Sequence, residues 1–132
     1  MKYFTMKELT KSSTSDKLGI DNTPTPEASV ALSNLVTHVL DPLREMYGKP
    51  ITVNSGYRCP KLNAAVGGAK TSQHMRGEAA DITAGSKTEN KKLFELIRDN
   101  LPFDQLIDES NYSWMHVSYV STSKNRKQIL SL

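Results

Sequence analysis

Cysteine is nearly missing from this sequence: Cys59 is the only one among 132 residues. No internal disulfide can form, and a metal module built from several thiolates is excluded. Long apolar runs are missing too. No stretch is long enough to cross a bilayer, so membrane insertion is not expected. The opening residues, Met1-Lys2-Tyr3-Phe4-Thr5-Met6-Lys7-Glu8, lack the apolar core of a secretory signal. The chain is therefore expected to be synthesised in the cytoplasm and to depend on something else for delivery if it acts outside. No repeat recurs at solenoid spacing. A strong excess of one charge is also lacking: 17 Lys and Arg stand against 14 Asp and Glu, a net charge of +3. That balance suits an anionic polymer without requiring one. No helical segment carries a dense Lys/Arg stripe, which argues against nucleic-acid binding.

What is present fits one domain over residues 1–132, with an N-terminal arm over 1–25 and a tail over 121–132. Thr5 and Glu8 have capping-box spacing, and Phe4 can staple to Leu9. Residues 10–25, rich in Ser, Thr, Asp and Pro, read as irregular. Thr25-Pro26 opens a long helix, Thr as cap and Pro at its first position. Ala28, Leu32, Leu35, Val36, Val39, Leu43 and Met46 recur at helical spacing and are expected to face the core. Asp41-Pro42 should kink or restart this helix, and Gly48 should end it. Strands are expected at 51–54, 79–83, 105–109 and 114–120, with one helical turn near 61–65. Ser86 and Glu89 form a second capping-box pair before a helix through Asn100. The order of elements predicts an α+β fold with a small, mainly antiparallel sheet flanked by helices.

Three histidines could do chemistry. His38 shares the polar face of the long helix with Asn34, Asp41 and Glu45 and reads as solvated. His74 stands seven residues before Asp81, and Gly77-Glu78 can bend the chain back between them. Asp81 lies in an apolar strand, where a carboxylate needs a cation or several donors. His116 also lies in an apolar strand. Two imidazoles and one carboxylate suit zinc with one coordination position left open. Core histidines, and an Asp81 paired with Arg58 or Arg76, would account for the same residues.

The pieces together are more specific. Ser55-Gly56-Tyr57-Arg58, Asn63, Gly67-Gly68, the string Ser72-x-His74-x-x-Gly77-x-Ala79-x-Asp81, and Trp114-x-His116 resemble the zinc D-Ala-D-Ala carboxypeptidase family. That family also contains phage endolysins that cut the L-alanyl-D-glutamate bond. The resemblance spans roughly residues 4 to 120 and implies a fold shared with the Hedgehog signalling domain. It implies Zn2+ held by His74, Asp81 and His116, with Arg58 steadying a substrate carboxylate or oxyanion and Ser72 hydrogen-bonding substrate. The implied substrates are the stem peptides of bacterial peptidoglycan, cut by a carboxypeptidase or an endopeptidase, with a phage-type lysin as one form. A monomer is expected, separately from the resemblance. A non-catalytic zinc module on the same fold, binding wall peptides or a protein, is the alternative.

Several branches of that family carry an acidic general base three residues before the last zinc histidine, where this chain has Ser113. A nearby branch resembles Asp104-Gln105-Leu106-Ile107-x-Glu109 and places the carboxylate at Glu109. Strand geometry gives a separate reason. With a four-residue loop over 110–113, Glu109 opposes Trp114 and Ile107 opposes His116, so Glu109 shares the face of His116 and Asp108 points away. Glu109 is the expected base, Asp108 the second choice. Tyr57 and Trp114 flank the expected cleft and either could line it, yet aromatic residues next to strands are more often core; Arg76 and Glu78 are expected to be solvated and Cys59 to be a small buried filler. Lys124, Arg126 and Lys127 read as a frayed basic tail.

Overall fold

A computed structural model describes residues 1–132. The N-terminal arm forms two short helices, α1 (Met6–Thr10) and α2 (Ser13–Leu18). At α1 the capping box is complete: Thr5 Oγ1 accepts from the Glu8 N–H, and the Glu8 carboxylate accepts from the Thr5 N–H. Phe4 and Leu9 are both buried. α2 lies in the stretch expected to be irregular. Its serines serve as a helix start, with Ser12 Oγ accepting from the Ser15 N–H, rather than as a loop.

α3 (Pro26–Leu35) begins where Thr25 Oγ1 accepts from the Ala28 N–H. Asp41-Pro42 does not break the rod. A wider π turn over Val36–Leu40 precedes Pro42, and α4 (Asp41–Tyr47) continues. The wide turn absorbs a proline that has no N–H to donate. It also brings Leu40 fully into the core, while Met46, expected inside, is 41% exposed.

The sheet contains β1 (Thr52–Ser55), β2 (Ala79–Thr83), β3 (Gln105–Glu109), β4 (Trp114–Ser118) and β5 (Gln128–Ser131), in the order β1-β2-β4-β3-β5. The first three pairings are antiparallel and β3 with β5 is parallel, so the sheet is mixed. The parallel strand corrects the expected frayed tail. Residues 121–132 return along the sheet because Arg126 is tied to the buried Asp104, and β5 then pairs with β3. Two further helices complete the fold, α5 (Pro60–Ala65) and α6 (Lys87–Asn100). The second capping box is only half formed. Ser86 Oγ accepts from the Glu89 N–H, but the Glu89 carboxylate turns to the Tyr47 hydroxyl and Lys49.

Strand alternation divides the sheet into two faces. Ala80, Ile82, Leu106, Met115 and Val117 point into the core formed with the helices. Asp81, Ile107, Glu109, Trp114 and His116 point to the other face, where a cleft of about 960 Å³ opens. No helix is long and apolar enough to cross a membrane.

Candidate metal centre

Pairing register brings the first two residues of the centre together. Asp81 on β2 lies directly opposite His116 on β4, and directly opposed residues share a face. The Asp81 Oδ1 to His116 Nδ1 distance is 3.0 Å. His74 arrives from outside the sheet on a short 3₁₀ turn, Gln73–Arg76. Ser72 starts that turn, its Oγ accepting from the His74 N–H at 3.2 Å. Gly77 ends it in the left-handed region, φ 73, where a side chain would run into the Ala28 carbonyl. The chain then enters β2, and His74 Nε2 comes to 3.4 Å from the same Asp81 oxygen. One nitrogen or oxygen from each of the three residues lies within 4.8 Å of the others.

His74 supplies the most telling detail. Its Nδ1 sits 2.7 Å from the carbonyl oxygen of Gly56. A carbonyl can only accept, so the Nδ1–H must donate to it, and this fixes the tautomer of a neutral ring. The remaining nitrogen, Nε2, then presents a bare lone pair toward the Asp81 carboxylate. Two electron pairs face one another in a setting where His74 is 3% exposed. Such a contact demands a cation between them or an extra proton on the imidazole. A tetrahedral zinc with ligand bonds of 2.0–2.1 Å holds its ligand atoms roughly 3.3 Å apart. The separations of 3.0 and 3.4 Å about Asp81 match that spacing. The donor set therefore fits a divalent metal of borderline softness. Burial opposes ionisation of Asp81, but the imidazoles of His116 and His74 beside it outweigh that penalty and hold the carboxyl below its usual range.

The cleft around these three is rich in charge, with four cationic side chains and three carboxylates on its walls. Arg58 is half-buried, and its Nη2 reaches the Ser72 hydroxyl at 3.4 Å. Burial lowers its pKa, and the nearby Asp81 charge acts in the opposite direction. Its Nε is enclosed and makes no hydrogen bond within the fold. Glu109 opposes Trp114, and Ile107 opposes His116, as the four-residue loop requires. Ser110, Asn111 and Tyr112 take left-handed φ values of 49, 55 and 63°. The buried Asn90 steadies that turn by donating to the carbonyls of Tyr112 and Ser113. Glu109 and Trp114 thus line the cleft beside His116. Asp108 is on the far face, accepting from Ser131 Oγ at 2.6 Å, which removes it as a candidate base.

The other expectations divide. Of the two aromatic residues, Tyr57 is core, 3% exposed, and Trp114 lines the cleft. Arg76 is exposed as expected, and it pairs at 2.9 Å with Glu78, which is the less solvated of the two. Cys59 is more than filler: its Sγ accepts from the Leu62 N–H and caps α5. His38 is exposed but stacks on Tyr119 at 4.7 Å. Sequence reasoning missed a polar chain along one cleft wall. Asp104 is 2% exposed. It accepts from Gln73 Nε2, from Arg126 Nε and Nη2, and from the Arg126 N–H. A carboxylate beside the apolar Phe103, with no cation near it in sequence, was the available sign of a distant partner.

Comparison with known proteins adds lineage to this geometry. The zinc D-Ala-D-Ala carboxypeptidase of Streptomyces albus G is 53% identical over 49 residues, which is 36% of this chain and 19% of that relative. The aligned part thus covers about a fifth of the relative's length. The model of the family Peptidase M15 matches residues 2–118. That match runs from the N-terminal arm to the last residue of β4 and takes in Arg58, His74, Asp81, Glu109 and His116, so the chain belongs to the Peptidase M15 family.

Proposed function

We propose that this protein is a zinc-dependent peptidase that hydrolyses peptide bonds in the stem peptides of bacterial peptidoglycan. The observation that carries the proposal is the bare Nε2 of His74 aimed at the Asp81 carboxylate, with His116 on the same oxygen. His74, Asp81 and His116 are the proposed ligands, and the name of the Streptomyces albus G relative supports zinc as the metal and D-alanyl peptides as the substrate class. When bound, zinc supplies a Lewis acid for the scissile carbonyl and makes a water molecule acidic enough to ionise near pH ~7.

The remaining roles belong to the chain. Glu109 stands on the same sheet face as His116, two residues from its cross-strand partner. It is the proposed general base, taking a proton from water and returning it to the leaving amine. Arg58 stays cationic and offers a planar fork to a substrate carboxylate or to the oxyanion that develops on the carbonyl. Ser72 accepts from the His74 backbone and from Arg58, so its own hydroxyl proton is free to donate to substrate. Trp114 forms an apolar wall. The Gly56 carbonyl holds His74 in one tautomer and orientation, the usual task of a partner behind a metal ligand.

The test is mass spectrometry of defined muropeptides after incubation with zinc-loaded protein, with and without chelator. Shortened stem peptides that disappear under chelation are the expected result. The mass lost separates removal of a terminal D-Ala from cleavage of an internal L-Ala-D-Glu bond. Intact muropeptides with zinc-loaded protein would refute the peptidase reading and leave a binding module on this fold.

A further inference from the structure

The cleft has cationic groups toward both edges of the sheet. Arg58 follows β1 at one edge, and Arg126 precedes β5 at the other, with Asp81 on β2 and His116 on β4 between them. Arg58 has a place in the reading above; Arg126 does not. Its guanidinium is held by a carboxylate that is itself almost wholly buried, through Nε to Oδ1 at 3.0 Å and Nη2 to Oδ2 at 2.6 Å. Asp104 is in turn fixed by Gln73 at 3.0 Å. A guanidinium has five N–H donors, so two are engaged by the Asp104 side chain and three remain. The Arg126 side chain is 56% exposed and lines the cleft. Lys124, two residues earlier, lines it too. Asp104 cancels one charge at this wall but Lys124 restores a net positive one. A fork locked from behind by a buried acid loses little freedom when it meets a planar anion.

We propose that Arg126 and Lys124 form a second carboxylate-binding position, which reads an anionic group of the substrate on the β5 side of the metal centre and sets specificity for free-acid over amidated stem peptides. This rests on the reading of the cleft as a stem-peptide site. Two carboxylates could be its target: the α-carboxylate of the D-glutamyl residue or the C-terminal carboxylate of the stem. Both share the same chemistry, and amidation removes the charge from either one.

Binding, not turnover, tests the proposal. Zinc-loaded Glu109→Gln protein is titrated calorimetrically with the pentapeptide L-Ala-γ-D-Glu-L-Lys-D-Ala-D-Ala, its D-isoglutamine form and its C-terminal amide. The free acid should bind roughly tenfold more tightly than one of the two amidated forms, and which form is weakened identifies the carboxylate read. Arg126→Gln should bring that preference to within about twofold. Lys124→Gln, a change at an exposed side chain outside the Asp104 bonds, should reduce it in part with unchanged thermal stability. Equal affinity for all three peptides, or no binding of any, overturns the proposal. An Arg126→Gln protein that loses affinity equally for every form overturns it as well, since that is the signature of a purely structural pin. Hydrolysis is measured separately, so a protein that discriminates but does not cut would sink only the peptidase reading.

Discussion

Asp104 offers a perturbation whose size can be worked from contacts. Its side chain is 3% exposed and accepts four hydrogen bonds, three from Arg126 and one from Gln73. Arg126 is 56% exposed, so its guanidinium regains water when the carboxylate is removed, and those bonds are worth much less than buried ones. Gln73 is not exposed enough for that: it is 9% exposed, and its Oε1 already lacks a partner. Without Asp104 its Nε2 keeps only a long bond to Glu78 at 3.4 Å, and leaving the other buried amide N–H without an acceptor costs about 1–3 kcal/mol. Asp104→Ala should therefore cost roughly 2–3 kcal/mol, set by that buried donor. For a chain of this length 1 kcal/mol corresponds to about 3–5 °C in Tm, so the midpoint should fall by roughly 10 °C. The loss should be local in its first effect. Gln128 N–H donates to the Asp104 carbonyl at the start of the β3·β5 pairing, so hydrogen exchange of β5 amides should accelerate before that of β2 and β4. Circular-dichroism melting and exchange mass spectrometry read both quantities. A Tm within 2 °C of the parent, with β5 still protected, would refute the claim that this carboxylate holds the C-terminal segment on the sheet.

His116→Ala should weaken zinc binding by more than about a hundredfold, because loss of a partner behind a ligand alone costs ten- to a hundredfold; chelator competition measures it, and unchanged affinity would remove His116 from the ligand set. Glu109→Gln should keep zinc and lower kcat by about 10²–10⁴, checked by muropeptide turnover alongside metal content; a normal rate would place the base elsewhere. Gly56→Ala should destabilise the fold and lower zinc affinity together, since a Cβ at this position would strike the Leu9 carbonyl and the same residue's carbonyl holds His74; melting and metal titration of one preparation test the coupling. Burial, then the hydrogen bond and charge of Glu89, push the Tyr47 phenol up to about 12. A raised folded pKa means stability is fully present below the unfolded value of ~10 and declines as pH rises toward about 12. Urea unfolding between pH 9 and 12 should show that decline in the parent and a flatter one in Tyr47→Phe, and equal slopes would refute the assignment.

Most of the fold was legible because local rules and the tertiary environment agreed. Thr25-Pro26 and the capping box at Thr5 are satisfied by the groups that define them. The β3–β4 register followed from loop length alone, and with it the placement of Glu109 beside His116 and Asp108 away from it. Misreadings arose where a distant partner outbid the local one. The Glu89 carboxylate leaves its own helix cap for Tyr47, 42 residues away. Pro42 is accommodated by a π turn because Leu35, Val36, Val39, Leu40 and Leu43 are all fully buried along one side of the rod, and a true break would have exposed part of that stripe. The basic tail resembled a frayed terminus because its tether, Asp104, lies 22 residues upstream on the other side of a hairpin.

The candidate centre was legible for a different reason. Asp81 and His116 each sit in an apolar strand where an isolated polar group is costly, and the simplest relief is for such groups to meet. Register then makes them cross-strand neighbours, so two of the three residues are placed by the same alternation that builds the core. His74 could not be placed that way. Its position depends on the Ser72 cap, the left-handed Gly77 and the Gly56 carbonyl, none of which has a periodic signature. Gly56 links these levels most directly. It has no side chain because α1 packs against it, and the Tyr57 N–H donates to the Leu9 carbonyl just beyond. That close approach turns the Gly56 carbonyl toward His74 and fixes which imidazole nitrogen is left bare. The N-terminal arm, which carries none of the three centre residues, therefore determines the tautomer of one of them.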